Sequence, residues 1–385
     1  MNKYNFDEIV DRKNTWSYKW EIKDNELPMW VADMDFHSLP EINEAIKERL
    51  SADSYGYCYA PEEFFKAYQG WWKRRHHVDI PISSMMFSTG VVASIDSILK
   101  HIIPPHSGVV VQVPVYHVFF NCIKNNGHEL MANKLIYKNG EYFIDFDDLE
   151  TLLKQENTKA MILCNPHNPI GRIWNKEELK RISSLCEENG VLLISDEIHC
   201  DIVEPNYKYM QILSVTDKAI ALLAGSKVFN IAGLHSSIIV CKNEELYTKI
   251  KEGIGQDDLG EPGYFAVPAN IAAFNKGDQW VDELNAYIFK NKQYVYQFIK
   301  QELPKIHLVD NKATYLLWLD ISAYSNESDK FVEELRKETG LIVSCGKRFG
   351  PGGESFIRIN IATSKRNVED AVDRLKQFIT KKYTA

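Results

Sequence analysis

The sequence predicts an α/β protein: a large unit built on a mostly parallel sheet with helices on both faces, joined to a smaller α+β unit. Three observations carry that expectation. Between residues 85 and 241 short apolar runs alternate with polar-faced helical stretches, the rhythm of strand–helix–strand units. Beyond about residue 280 the rhythm breaks into one long helical stretch followed by short strands and helices in mixed order. At 385 residues, with 45% apolar and 25% charged side chains, the chain has ordinary globular composition and enough length for two cores.

In chain order, residues 1–30 are polar and irregular, closing on the apolar-rich stretch 27–36, which reads as a segment that packs against something. A helix is expected over 39–50, with Pro40 in its first turn. Tyr55-Gly56-Tyr57 makes a glycine-broken aromatic loop before a second helix over 61–75. Strands are expected at 85–87, 109–113, 160–164, 191–195, 219–223 and 237–241, with helices at 94–101, 147–154 and 176–189. The second unit reads as a helix over 280–302, a strand at 314–319, a helix over 328–339, strands at 341–344 and 355–361, and a terminal helix from 367. The expected division is 1–45 as an N-terminal segment packing with the small domain, 46–280 as the large domain and 281–385 as the small one.

Charge narrows the partners. The balance of 45 basic and 53 acidic residues gives −8, and the densest basic run, Lys73-Arg74-Arg75-His76-His77, reads as a solvated helix end, so no nucleic acid is expected. Seven cysteines without a CxxC pair suit a reducing compartment and no metal. With no signal-like apolar start and no run of 18 apolar residues, the expectation is a cytoplasmic protein with no membrane partner.

In sheets of this type ligands sit outside the carboxyl ends of the strands, so the chemistry is sought there. Lys227 follows the fifth expected strand, flanked by Ala224, Gly225, Ser226, Ala232 and Gly233, which leave its amine approachable by a flat ligand. A lysine amine of lowered pKa forms a Schiff base with a carbonyl. Asn165-Pro166-His167-Asn168-Pro169-Ile170-Gly171 makes a rigid turn after the third strand. Asp196 ends the fourth strand as a carboxylate in need of a cationic partner. Ser88-Thr89-Gly90-Val91-Val92 opens a helix whose amides suit a phosphate. Tyr116 adds an aromatic ring at the same edge. Each has a plainer reading alone: a solvated lysine, a turn, a cap. Together they match pyridoxal 5′-phosphate, which has an aldehyde, a phenolic oxygen, a ring nitrogen, a phosphate and a π face.

With those residues in place, the chain resembles fold-type I pyridoxal-phosphate enzymes of the class I/II aminotransferase superfamily over essentially its whole length. Within that superfamily it is most similar to the MalY/PatB branch of cystathionine β-lyases (cysteine-S-conjugate β-lyases). The resemblance rests on Leu-Pro-Met-Trp-Val-Ala-Asp-Met-Asp-Phe at 27–36, Tyr-Gly-Tyr at 55–57, Asp-Glu-Ile-His at 196–199, Ser-Lys-Val-Phe-Asn-Ile-Ala-Gly-Leu at 226–234 and Thr-Tyr-Leu-Leu-Trp-Leu-Asp at 314–320. His199 is the distinguishing residue, where many aminotransferases carry Tyr.

The resemblance implies a carbon–sulfur β-lyase that cleaves L-cystathionine or related S-conjugates to a thiol, pyruvate and ammonia. It implies Lys227 as the Schiff-base lysine and proton carrier, Asp196 on the ring nitrogen, Asn168 on the phenolic oxygen and Tyr116 stacked on the ring, with His199 in the cofactor site. The amides of Gly90, Val91 and Val92, with Ser226, would hold the phosphate, and Tyr57 would reach the phosphate of the neighbouring subunit in a homodimer. Arg358 would clasp the substrate α-carboxylate, with Asn168 and the backbone near Ala32. Two departures put the phosphate cup in question: Ala224 where many relatives have a hydroxyl, and His235 where many have an arginine. An aminotransferase on the same scaffold is the rival reading. No second arginine stands out for a distal carboxylate, which weighs against an aspartate-type transaminase.

Overall fold

The computed structural model describes residues 3–383. At its centre is a seven-stranded sheet in the order Met85–Ser88, Ser237–Val240, Ile220–Leu223, Leu192–Asp196, Thr158–Cys164, Gly108–Val113, Glu129–Lys134. All neighbouring pairs are parallel except those of Ser237–Val240, which runs against both its partners. The central strands are continuous apolar runs because helices cover both faces. Alternation along them sends Met161, Leu163 and Leu193 into one apolar cluster and Ala160, Ile162 and Ile194 into the other.

The second unit is a four-stranded antiparallel sheet in the order His307–Leu308, Leu316–Asp320, Phe356–Asn360, Ser344–Cys345. With it come the long helix Asp278–Glu302 and the helices Ser328–Thr339 and Lys365–Tyr383. The stretch expected as one strand over 341–344 is two short pieces in different sheets. Leu341–Ile342 pairs in parallel with Leu27–Pro28, and Ser344–Cys345 pairs with Phe356–Asn360. The strand expected from 314 starts only at Leu316, because Thr314 has a left-handed backbone (φ 68°).

Two features position the site. Register sets Cys164 beside Asp196 and Asp196 beside Leu222, so the parallel strands end level along one edge. The N-terminal segment then lies across that edge, tied to both units. Met34 exchanges two 2.9 Å hydrogen bonds with the Asn230 side chain, while Asn360 Nδ2 donates to the carbonyls of Val31 and Asp33 at 2.6 Å. Asp35 anchors this strap, accepting from Lys19 at 2.8 Å, Trp20 Nε1 at 2.7 Å and Arg12 at 3.1 Å.

Candidate active site

A cavity of about 540 Å³ opens at the level strand ends. Ala32, Gly90, Val91, Val92, Tyr116, Asn168, Asp196, His199, Ser226 and Lys227 all line it. These ten residues of the sequence reading share one surface although they come from six separate stretches of chain. Tyr57 stands apart, on an exposed segment and outside this chain's cavity.

Lys227 sits in the turn after Ile220–Leu223, held by Phe229 N–H to the Gly225 carbonyl and Ile231 N–H to the Ser226 carbonyl. Glycine at 225 keeps the turn close to two rings: a Cβ there would stand 3.0 Å from Phe274 and 3.1 Å from Phe229 and would press on both. The Lys227 amine donates to the Ala32 carbonyl at 2.8 Å, so the N-terminal strap orients it. Burial pushes its pKa down to about 8, outweighing the opposing pull of the Asp33 and Asp196 charges.

Asp196 lies at the end of its strand, buried, and forms no ion pair among the described residues. Its carboxylate accepts the Ile198 N–H at 3.0 Å, and burial pushes its pKa up to about 6. His199 is buried with its Nδ1 unpartnered, and burial holds its pKa well below the usual histidine range. The Tyr315 ring meets His199 edge-on at 6.2 Å, and the Tyr315 hydroxyl donates to Ala32 O at 3.0 Å. Tyr315 thus shares the Ala32 carbonyl with Lys227 without lining the cavity itself, and the sequence shows it only within the 314–320 motif.

The other end of the cavity is a helix start. Val91–Ile102 begins at Gly90 with no side-chain cap, so its first amide donors face the cavity free. A Cβ built on Gly90 would meet nothing within 4 Å, which leaves the approach open. Ser226, His235 and Ser236 line this region, and the buried Ser236 hydroxyl has no partner. Ser236 was missed by sequence reading, and its signal was its place between the lysine loop and the next strand. Ala224 points elsewhere, into the apolar cluster with Leu222 and Ile239.

Arg358 comes from the small sheet, on Phe356–Asn360, and reaches the large unit. It donates to Asn168 Oδ1 and to the Trp30 carbonyl, each at 3.0 Å, while its Nε has no partner. Because Asn168 Oδ1 is taken, its Nδ2 is the end left to donate. The turn that carries Asn168 closes at Gly171, left-handed (φ 65°), where a Cβ would lie 2.3 Å from the Asn311 side chain. One group of metal-type donors converges among the described residues: His76, Cys200 and Asp201. It lies in a separate cavity, and Asp201 Oδ1 is already filled by Trp71 Nε1 at 3.0 Å and His76 Nε2 at 2.8 Å.

The chain matches the family model of aminotransferase class I and II over residues 28–375. It is 39% identical to cystathionine beta-lyase PatB of Bacillus subtilis (strain 168), across 98% of this chain and 100% of that protein. Cystalysin from Treponema denticola, whose crystal structure contains a pyridoxal 5′-phosphate cofactor, aligns with a TM-score of 0.95 at 32% identity, covering 98% of this chain and 99% of that one. A pyridoxal-phosphate-bound C–S lyase from Staphylococcus hominis, complexed with the inhibitor L-cycloserine, aligns with a TM-score of 0.92 at 34% identity over 98% of each chain.

Proposed function

The chain belongs to the class I and II aminotransferase family, and on that premise we propose that it is a pyridoxal-phosphate-dependent carbon–sulfur β-lyase. It cleaves L-cystathionine or related cysteine S-conjugates to a thiol, pyruvate and ammonia, in line with the lyases it resembles at 32–39% identity over nearly full length. The observation that carries the reading is a lowered lysine amine and an unpaired buried carboxylate sharing one cavity, Lys227 and Asp196.

The residues fit the cofactor. Asp196 is costly to bury without a cation, and a protonated ring nitrogen supplies one. The uncapped helix start at Gly90, Val91 and Val92, with Ser226, offers donors for a phosphate, and Ser236 adds an unpartnered hydroxyl. Lys227 would bond the aldehyde carbon, Asn168 Nδ2 would donate to the phenolic oxygen, and Tyr116 and His199 complete the ring site. When bound, pyridoxal phosphate supplies the electron sink that stabilises negative charge at the substrate α-carbon.

The chain's own groups do the rest. Arg358 binds the substrate α-carboxylate through its guanidinium fork, with Asn168 and the Ala32 backbone beside it. Lys227, with a pKa near 8, has a substantial neutral fraction at physiological pH and takes the α-proton as a base. Its hydrogen bond to Ala32 O fixes the amine while that proton is transferred. As the β carbon–sulfur bond breaks, the ammonium of Lys227 returns the proton to the departing sulfur. The unsaturated amine then hydrolyses to pyruvate and ammonia.

The same proposal makes the protein a cytoplasmic homodimer with shared sites. Tyr55, Tyr57 and Tyr59 are exposed on one segment, which favours a second subunit that covers them. All seven cysteines are unpaired, as a reducing compartment requires. Among the described residues no helix is long and apolar enough to cross a membrane. The division into residues 1–45, 46–280 and 281–385 belongs to this reading as well; the pairing of Leu27–Pro28 with Leu341–Ile342 supports the packing of the first segment with the small domain, while the 45/46 division falls within the helix Pro40–Leu50.

Incubation with L-cystathionine tests the reaction. Pyruvate forming without added keto acid, from a protein with the visible absorption of bound cofactor, is the expected result. Absence of pyruvate together with keto-acid-dependent amino-group exchange would install the aminotransferase instead.

A further inference from the structure

We propose that Arg348, held on His117 beside the active-site cavity, binds an anionic group at the far end of the leaving thiol. It would thereby make the enzyme selective for cysteine S-conjugates that carry a second carboxylate. This inference rests on the lyase reading and goes beyond it by naming the substrate class.

Arg348 lies in the short helical turn Gly346–Phe349 of the small unit, and that turn docks on the large one. Val115 N–H donates to the Phe349 carbonyl at 2.9 Å, and the Phe349 ring sits edge-on to His117 at 6.1 Å. The Arg358 guanidinium lies over the same Phe349 ring at 4.8 Å. Arg358 is buried against Asn168, whereas Arg348, one residue before Phe349, is exposed and bonded to His117, the chain neighbour of the cavity-lining Tyr116. A substrate whose α-carboxylate is on Arg358 runs outward through its sulfur, and a carboxylate beyond the sulfur meets the outer arginine.

The charge on Arg348 is uncompensated. Lys347, its neighbour, is ion-paired with Asp329 at 2.7 Å, whereas no carboxylate lies in ion-pair range of Arg348 among the described residues. Its contact is His117 Nε2 at 2.8 Å. A guanidinium only donates, so that nitrogen is the acceptor and the imidazole proton is on Nδ1, which has no partner. Burial and then the Arg348 charge hold the His117 pKa down to about 4, so the imidazole stays a neutral acceptor at working pH. A cation resting on a neutral ring keeps its attraction for an anion. From sequence no second arginine stood out because Arg348 reaches the site only through the fold of the glycine-broken loop around it.

The test compares wild type with R348Q and R348K as holoenzymes on two substrates, L-cystathionine and S-methyl-L-cysteine, which lacks the distal carboxylate. The expected result is that R348Q raises KM for L-cystathionine roughly 10–100-fold, the loss of one charge-assisted contact. Its kcat should stay within about 2-fold, KM for S-methyl-L-cysteine within about 2-fold, and R348K should fall between. A purely structural role for Arg348 would raise both KM values together or lower the melting temperature with them. Either that outcome or no change with L-cystathionine overturns the proposal. Pyruvate from S-methyl-L-cysteine with wild type keeps the lyase reading whichever way Arg348 falls. No pyruvate from either substrate overturns both.

Discussion

The stretch 196–201 serves two buried environments at once, and they are built on opposite principles. Asp196 and His199 face the cavity, where Asp196 takes one side-chain hydrogen bond and His199 Nδ1 takes none. Asp201 faces the other way and is saturated by Trp71, His76 and, at its carbonyl, the Asn285 amide at 2.8 Å. Glu197 is the intermediate case. Its Oε1 accepts from Ser195 and from the Ile212 N–H, both at 2.9 Å, its Oε2 has no partner, and burial pushes it up to about 7. Within this segment the paired carboxylate, Asp201, holds the scaffold, and the groups left unpaired that also face the cavity, Asp196 and His199, are free for a ligand. Hydrogen bonds and the cavity lining together separate the two kinds of residue, although they share a segment and a degree of burial.

The sharpest way to break that comparison is at Lys227. K227A is expected to lower pyruvate formation by roughly 10³-fold or more, with unfolding by urea little changed. A folded variant that kept its activity would remove the amine from the chemistry. Next comes D196N, where activity and stability should move in opposite directions. The folded pKa of about 6 lies above the usual 3.8, so the folded state holds the proton more tightly than the unfolded state. Apo-protein stability therefore falls as pH rises through that interval and stays lower above it. D196N should make the apo-protein more stable above pH 6 by on the order of 2–3 kcal/mol, with the two curves converging below pH 4. Turnover should fall about 10²-fold. D201A should do the reverse, destabilising by about 2–4 kcal/mol through the stranded donors of Trp71 and His76, while kcat per folded molecule stays within about 3-fold. Were D201A to spare stability, or D196N to lower it, the division of the segment into a scaffold side and a ligand side would be wrong.

Much of this arrangement is legible in the chain, and the failures have physical causes. The buried strands show because parallel strands covered on both faces leave uninterrupted apolar runs, as at Ile220–Leu223 and Thr158–Cys164. The edge strand Glu129–Lys134 was not read, since only alternate residues are buried and it ends in Asn133-Lys134. The hairpin Ile136–Lys138 with Glu141–Phe143 and the helices Val118–Asn125, Glu244–Gln256 and Ala266–Lys276 also passed unread. Strand direction leaves no mark on composition, so the reversal of Ser237–Val240 comes only from the fold. The same holds for the site. Lys227, Asp196 and Asn168 stand at strand ends and are visible from pattern. The Ala32 carbonyl that orients Lys227, the Tyr315 hydroxyl beside it and the Asn230 clamp on Met34 depend on contacts across some 200 to 280 positions of sequence.

Tyr57 carries the smallest expected effect and the clearest logic. It is almost fully exposed and lines no part of its own chain's cavity, so Y57A should leave the stability of the chain within about 0.5 kcal/mol. If the ring reaches the phosphate of a second subunit, Y57A should weaken cofactor binding about 10-fold, the loss of one charge-assisted hydrogen bond. That weakening shows as reduced activity at limiting cofactor. Mixing then separates shared from self-contained sites. A dimer of one K227A chain and one Y57A chain holds one site with both defects and, if Tyr57 works across the interface, one site with neither. Co-expressed chains should therefore recover activity that each homodimer lacks at limiting cofactor. If each site were completed by its own chain, every site in the mixture would carry one defect, and mixing would restore nothing.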